Sequence, residues 1–181
     1  MYKIYCDGAS RSNPGEASIG VSIQNDEQEI DTIAKKIGVA TNNVAEYEGL
    51  RTALDYCDKN NLKGVQIYLD SLLVVQQVNG KYKVKSKNLM DLYNQCTDLI
   101  EKIDNLEIHH VPREQNKRAD ELANIALDSW FYFGLAVYQY IFFFIYLKIK
   151  NQTYDLLFLV VYFPFYLTQL YFFVEWQMKM N

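Results

Sequence analysis

Cysteine, histidine and proline are all scarce in this chain of 181 residues, with three Cys, two His and three Pro. The thiols, Cys6, Cys57 and Cys96, are odd in number and lack metal-type spacing. They exclude a disulfide framework, and their expected role is that of small buried hydrophobes in a reducing compartment. Positive charge is not in excess: Lys+Arg number 18 against Asp+Glu 22, a formal net charge of −4. That excludes a protein that grips nucleic acid by bulk charge alone. It leaves open one that works through metal ions or a local basic patch. Half of the residues are apolar, which excludes disorder for most of the chain and supplies material for a core. Met1-Tyr2-Lys3-Ile4-Tyr5 lacks the long apolar run of a signal peptide.

Aromatic residues are unevenly spread. All ten Phe and both Trp lie beyond residue 129, and the only aromatics before that point are Tyr. After Asp128 the only charges are Lys148, Lys150, Asp155, Glu175 and Lys179. The chain is therefore read as two parts, 1–128 and a strongly hydrophobic tail, 129–181.

In the first part, Tyr2–Asp7 reads as a strand that ends in a turn-prone Gly8–Gly15 segment. Ala17–Gln24 and Glu29–Ile37 read as two more strands, and their short connections predict an antiparallel meander. Thr41-Asn42-Asn43 reads as a helix start with Thr41 or Asn42 as N-cap, and the helix runs to about Asp58. Val65–Asp70 reads as a buried strand and Ser71–Val78 as a short helix stopped at Asn79-Gly80. Leu89–Ile103 reads as an amphipathic helix, Leu106–Val111 as a strand and Gln115–Leu127 as a last helix. The order βββ-α-β-α-α-β-α predicts a mixed sheet extended through helical crossovers.

Four carboxylates sit at suggestive places in this order. Asp7 ends the first strand, Glu46 lies one turn into the first helix, Asp70 ends the fourth strand, and Asp120 lies near the start of the last helix. Carboxylates that converge without cationic partners repel one another, and such a cluster makes physical sense as a holder of hard divalent cations. Their contexts are Tyr5-Cys6-Asp7-Gly8-Ala9-Ser10, Thr41-Asn42-Asn43-Val44-Ala45-Glu46-Tyr47, Leu69-Asp70-Ser71 and Asn116-Lys117-Arg118-Ala119-Asp120-Glu121-Leu122-Ala123. In this order they closely resemble the four motif blocks of type 1 ribonuclease H, over residues 1–128. The likeness is to the compact archaeal and bacterial branch, with Asn13-Pro14-Gly15 after the first block and His110-Val111-Pro112-Arg113 before the last.

The resemblance implies an α/β, RNase H-like fold: a five-stranded mixed sheet in 3-2-1-4-5 order with helices on both faces. It implies that Asp7, Glu46, Asp70 and Asp120 are catalytic and hold two Mg²⁺ ions, with Mn²⁺ as substitute. The implied reaction is hydrolysis of the RNA strand of an RNA–DNA hybrid, leaving 5′-phosphate and 3′-hydroxyl ends. Gly8, Ala9, Ser10, Asn42 and Asn43 match positions that read the minor groove, where 2′-hydroxyls are displayed. For Asn42, helix capping is the competing role. Lys83 and Lys85 match a short connection beside the hybrid, with a solvated edge as the competing reading. Larger family members carry a basic helix at this point, and its absence predicts salt-sensitive substrate binding.

The chain departs from the better-known bacterial pattern in the loop before the last carboxylate. A His stands there in that pattern, whereas this loop reads Pro112-Arg113-Glu114-Gln115-Asn116. Arg113 is the candidate for the loop function, although it cannot act as a base at neutral pH. His109 and His110 fall within the last strand, where a packing or hydrogen-bonding role is expected. The alternative function is a hybrid- or dsRNA-binding module of the same fold with little turnover. A junction resolvase and a membrane-anchored interaction protein are further rivals. No protein partner is implied, and the cytoplasm is the expected location.

The tail has its own alternatives. Ser129–Leu147 and Leu156–Val174 are uncharged runs long enough to span a membrane as a hairpin. Lys148 and Lys150 in the connecting loop run against the positive-inside tendency. A frameshift or read-through product, rich in residues of AT-rich codons, is the second reading, and a soluble appendage the third.

Overall fold

In the first strand Ile4 and Cys6 alternate with Lys3 and Tyr5, so one face is apolar and can be buried. The computed structural model describes residues 1–128. The candidate membrane hairpin, the frameshift reading and the rest of the tail lie outside the described residues. Among the described residues no helix is long and apolar enough to cross a membrane.

Strands β1 (Tyr2–Ser10), β2 (Gly15–Asn25) and β3 (Gln28–Ala40) form an antiparallel meander. Helix α1 (Asn42–Lys59) then leads to β4 (Val65–Leu69), which pairs with β1 in parallel. Helices α2 (Leu72–Val78) and α3 (Lys87–Ile100) lead to β5 (Glu107–His110), parallel to β4. A 3₁₀ turn, Arg113–Gln115, precedes a helix over residues 117–128, here α4. The sheet order is β3-β2-β1-β4-β5, as the motif resemblance implied.

The core lies between the sheet and α1 with α3. Ile4, Val21, Ile23, Leu50, Leu54 and Ile67 are fully buried there. The opposite face of β2 receives α4, because Gly20 leaves room for it. A Cβ on Gly20 would lie 2.1 Å from the Ala119 carbonyl oxygen and 2.5 Å from the Ala123 nitrogen. Ser18 Oγ donates to the Ala123 carbonyl at 2.6 Å on that same face. Helices therefore cover both faces, and residues 1–127 form one compact unit. Cys6, Cys57 and Cys96 are free and buried, as expected of small hydrophobes.

Several expected boundaries move. β1 does not stop at Asp7: Gly8, Ala9 and Ser10 continue it, paired with Ile19, Ser18 and Ala17. Gly and Ser read locally as a turn, but the β2 partner supplies their ladder bonds and overrides that preference. Helix α3 ends at Ile100, and Ile103 is buried from the turn beyond it. The last helix begins at 117 rather than 115, because Gln115 and Asn116 donate their N–H groups to Pro112 and Arg113 carbonyls and close the 3₁₀ turn first.

Candidate active site

The site forms where the C-terminal halves of β1 and β4 meet the first turns of α1 and α4. Thr41 is the N-cap of α1, its Oγ1 accepting the Val44 N–H at 3.4 Å. That leaves the side chain of Asn42 free to turn inward, where its Nδ2 donates to Glu46 Oε1 at 3.3 Å. Helix α1 can come close enough to β1 because position 8 has no side chain. A Cβ on Gly8 would stand 2.1 Å from the Ala45 carbonyl carbon. The close approach that Gly8 permits is thus that of the helix carrying Glu46.

Asp7, Glu46 and Asp70 each offer an oxygen, and these oxygens all lie within 4.8 Å of one another. Asp7 Oδ1 accepts the Gly8 N–H at 2.8 Å. Asp70 Oδ1 accepts Asn116 Nδ2 at 3.2 Å. Glu46 Oε2 is buried and has no hydrogen-bond partner. Burial, with Asp70 adding to it, pushes Asp7 up to about 7 from its ordinary 3.8. Burial, then Asp7 and Asp70, push Glu46 up to about 9. Three acids held together at this cost keep protons at neutral pH or take up a compensating charge. The donor set is all oxygen and one buried oxygen is unpaired, so it suits a hard divalent cation.

Asp120 stands apart from this trio. It sits in the first turn of α4, and Arg113 donates to its Oδ1 at 2.6 Å. Asn124 Nδ2 donates to its Oδ2 at 3.2 Å. Its charge still acts on Asp7, raising it, while that of Arg113 lowers it.

The remaining expected residues fall around this cluster. Ala9 and Ser10 end β1, and the Ser10 hydroxyl is tied to the Ala40 carbonyl at 2.8 Å and to the Ser12 carbonyl. The Asn42 N–H donates to Asn13 Oδ1 at 3.2 Å, fastening the β1–β2 loop to α1, and Asn43 is exposed. Lys83 and Lys85 are exposed between α2 and α3. Their segment is anchored from inside: Tyr47 Oη donates to Gln77 Oε1 at 2.8 Å, and Gln77 Nε2 donates to the Lys83 carbonyl at 3.4 Å. His109 stacks on Tyr68 and lies 2.9 Å from Glu107, while His110 is exposed at the end of β5.

One residue at the site had no role in the sequence reading. Asn116 is fully buried, and its Nδ2 reaches both the Cys6 carbonyl at 3.0 Å and Asp70. It stands in the last motif block, but only the fold reveals that β1 and β4 end beside it.

Comparison with known proteins agrees with this architecture. A family model described as reverse transcriptase-like matches residues 5–126. The "Bifunctional protein Rv2228c" of Mycobacterium tuberculosis is 41% identical over 128 residues, which are 70% of this chain and 35% of the relative. The chain thus spans about a third of that relative's length. The solved RNase H1 of the archaeon Halobacterium salinarum superposes with a TM-score of 0.68 at 37% identity, covering 70% of this chain and 97% of that one. The LC11-RNase H1, solved in complex with RNA/DNA hybrid, gives a TM-score of 0.67 at 40% identity, covering 72% and 99%. Through residues 5–126, this chain belongs to the reverse transcriptase-like family, in its type 1 ribonuclease H branch.

Proposed function

We propose that this protein is an endoribonuclease that hydrolyses the RNA strand of RNA–DNA hybrids. The observation that carries the proposal is the convergence of Asp7, Glu46 and Asp70 within 4.8 Å. Asp7, Glu46 and Asp70 would hold Mg²⁺ or Mn²⁺, and Asp120 would complete a two-ion site. The chemistry such cations would supply there is activation of a water and neutralisation of charge on the leaving 3′-oxygen. The products are 5′-phosphate and 3′-hydroxyl ends.

The chain's own part is placement. Glu46 is fixed by Asn42, Asp7 by the Gly8 N–H, and Asp70 by Asn116. Ala9, Ser10, Asn42 and Asn43 would line the rim on which a minor groove rests, with Gly8 buried beneath the first turn of α1. Lys83 and Lys85 stand on an exposed segment and supply phosphate contacts to an otherwise acidic protein. Arg113 holds the Asp120 carboxylate in place and carries no proton chemistry at neutral pH. We place the protein in the cytoplasm as part of the same proposal.

The test is a strand-labelled hybrid incubated with the full chain, with and without Mg²⁺ or Mn²⁺. Metal-dependent cuts confined to the RNA strand are expected, and Asp70→Asn is expected to abolish them while sparing hybrid binding. A folded protein that binds hybrid but leaves it intact with either metal is a binding module, and the nuclease reading then fails.

A further inference from the structure

Asn116 is the residue at the site whose arrangement is least explained by folding alone. It has no exposed surface. Both protons of its amide are used, one on the Cys6 carbonyl at 3.0 Å and one on Asp70 Oδ1 at 3.2 Å. Both partners are acceptors only, so the orientation of the amide is determined: the flipped form would set its oxygen against two acceptors. In the orientation adopted, Asn116 Oδ1 is buried with no hydrogen-bond partner. A polar side chain buried with half its capacity unused is a poor device for stability. What the side chain does provide is its two N–H groups, given to the Cys6 carbonyl and to Asp70.

The placement of Asn116 is what distinguishes it. Its side chain touches the residue before Asp7 and the carboxylate of Asp70. Its backbone carbonyl accepts the Asp120 N–H at 3.1 Å. One buried residue is therefore bonded to all three of the segments that carry Asp7, Asp70 and Asp120. It also takes one oxygen of Asp70 as a hydrogen-bond acceptor and so fixes the carboxylate plane, which decides where the second oxygen faces.

We propose that Asn116 is a positioning residue that orients the Asp70 carboxylate for cation binding. This rests on the metal-dependent nuclease reading above. Outer partners of carboxylate ligands hold them in the orientation the cation needs, and their loss costs about 10–100-fold in metal affinity or activity.

The experiment is a Mn²⁺ titration of the full chain followed by electron paramagnetic resonance. Wild type is compared with Asn116→Ala and Asn116→Ser, each first shown to melt cooperatively. Asn116→Ala is expected to weaken Mn²⁺ binding about tenfold or more. Asn116→Ser keeps a hydroxyl donor and is expected to fall between the two. On hybrid, kcat is expected to drop with KM little changed, because Asn116 is buried away from the substrate. A folded Asn116→Ala with wild-type Mn²⁺ affinity overturns the proposal, since a merely structural residue would lower the melting temperature and leave the affinity alone. If both variants fail to fold, Asn116 serves the fold and the proposal is likewise overturned. If wild type itself neither binds Mn²⁺ nor cleaves, the nuclease reading fails instead.

Discussion

Replacing Glu46 by Gln is expected to stabilise the metal-free protein while removing its activity. Glu46 is buried on α1 beside Asp7 and Asp70, which with burial push it up to about 9 from its ordinary 4.5. A folded-state value above the unfolded one means that the native protein binds more protons than the unfolded chain between those two values. The stability contributed by the protonated form is complete below about pH 4.5 and is lost as pH rises through about 9. At pH 8 roughly 3.5 pH units of that window have been crossed, at about 1.4 kcal/mol each, or about 5 kcal/mol. Part of that loss is repulsion from Asp7 and is shared with it, so a neutral amide is expected to recover about 2–4 kcal/mol. For a chain of this size that is about 5–15 °C in melting temperature. The assay is thermal melting with EDTA at pH 5, 6.5 and 8, comparing wild type with Glu46→Gln. The gap is expected to widen with pH, and Mg²⁺ is expected to close it by raising wild type, since a cation that binds only the native state stabilises it. A variant that melts at or below wild type at pH 8, or a gap that does not change with pH, would refute the reasoning.

Two other perturbations test the packing and the substrate edge. Gly20→Ala puts a methyl group between β2 and the α4 backbone on both sides, 2.1 Å from the Ala119 oxygen and 2.5 Å from the Ala123 nitrogen. It is expected to cost about 1–3 kcal/mol or more in urea unfolding, and an unchanged midpoint would show that α4 does not rest on β2. Replacing Lys83 and Lys85 together by Ala is expected to lower the salt dependence of hybrid binding by about one unit of log–log slope for each lysine in phosphate contact. A slope equal to wild type would return both to the solvated edge. Their exposure means that stability should change by less than about 0.5 kcal/mol.

The parts of this protein that could be read from the sequence are those set by local pattern. The alternation in β1, the Thr41 cap and the stop at Asn79-Gly80 are each written within a few residues, and the structure has them where the pattern places them. Asp7, Glu46 and Asp70 were legible because each stands in a distinctive block, and the fold brings the three together. What local pattern could not convey is contact across the chain. Gly8-Ala9-Ser10 resembles a turn, yet it is strand because β2 pairs with it, and Gly8 is required by a helix that begins more than thirty residues later. Arg113 is a loop candidate by position alone, and only the fold shows that its side chain is bonded to Asp120 on the next helix.

Asn116 shows the same limit from the other side. In sequence it is one polar residue at the start of a motif block, and nothing in its local pattern sets it apart. Its side chain bonds to residues 46 and 110 positions away, and neither separation carries any periodic signal. A residue that orients a ligand through the fold leaves its mark in an unpaired buried oxygen rather than in a motif. Motif blocks of this kind therefore identify the groups that touch the reacting atoms. The groups that hold them still have to be found by accounting for every buried donor and acceptor around them.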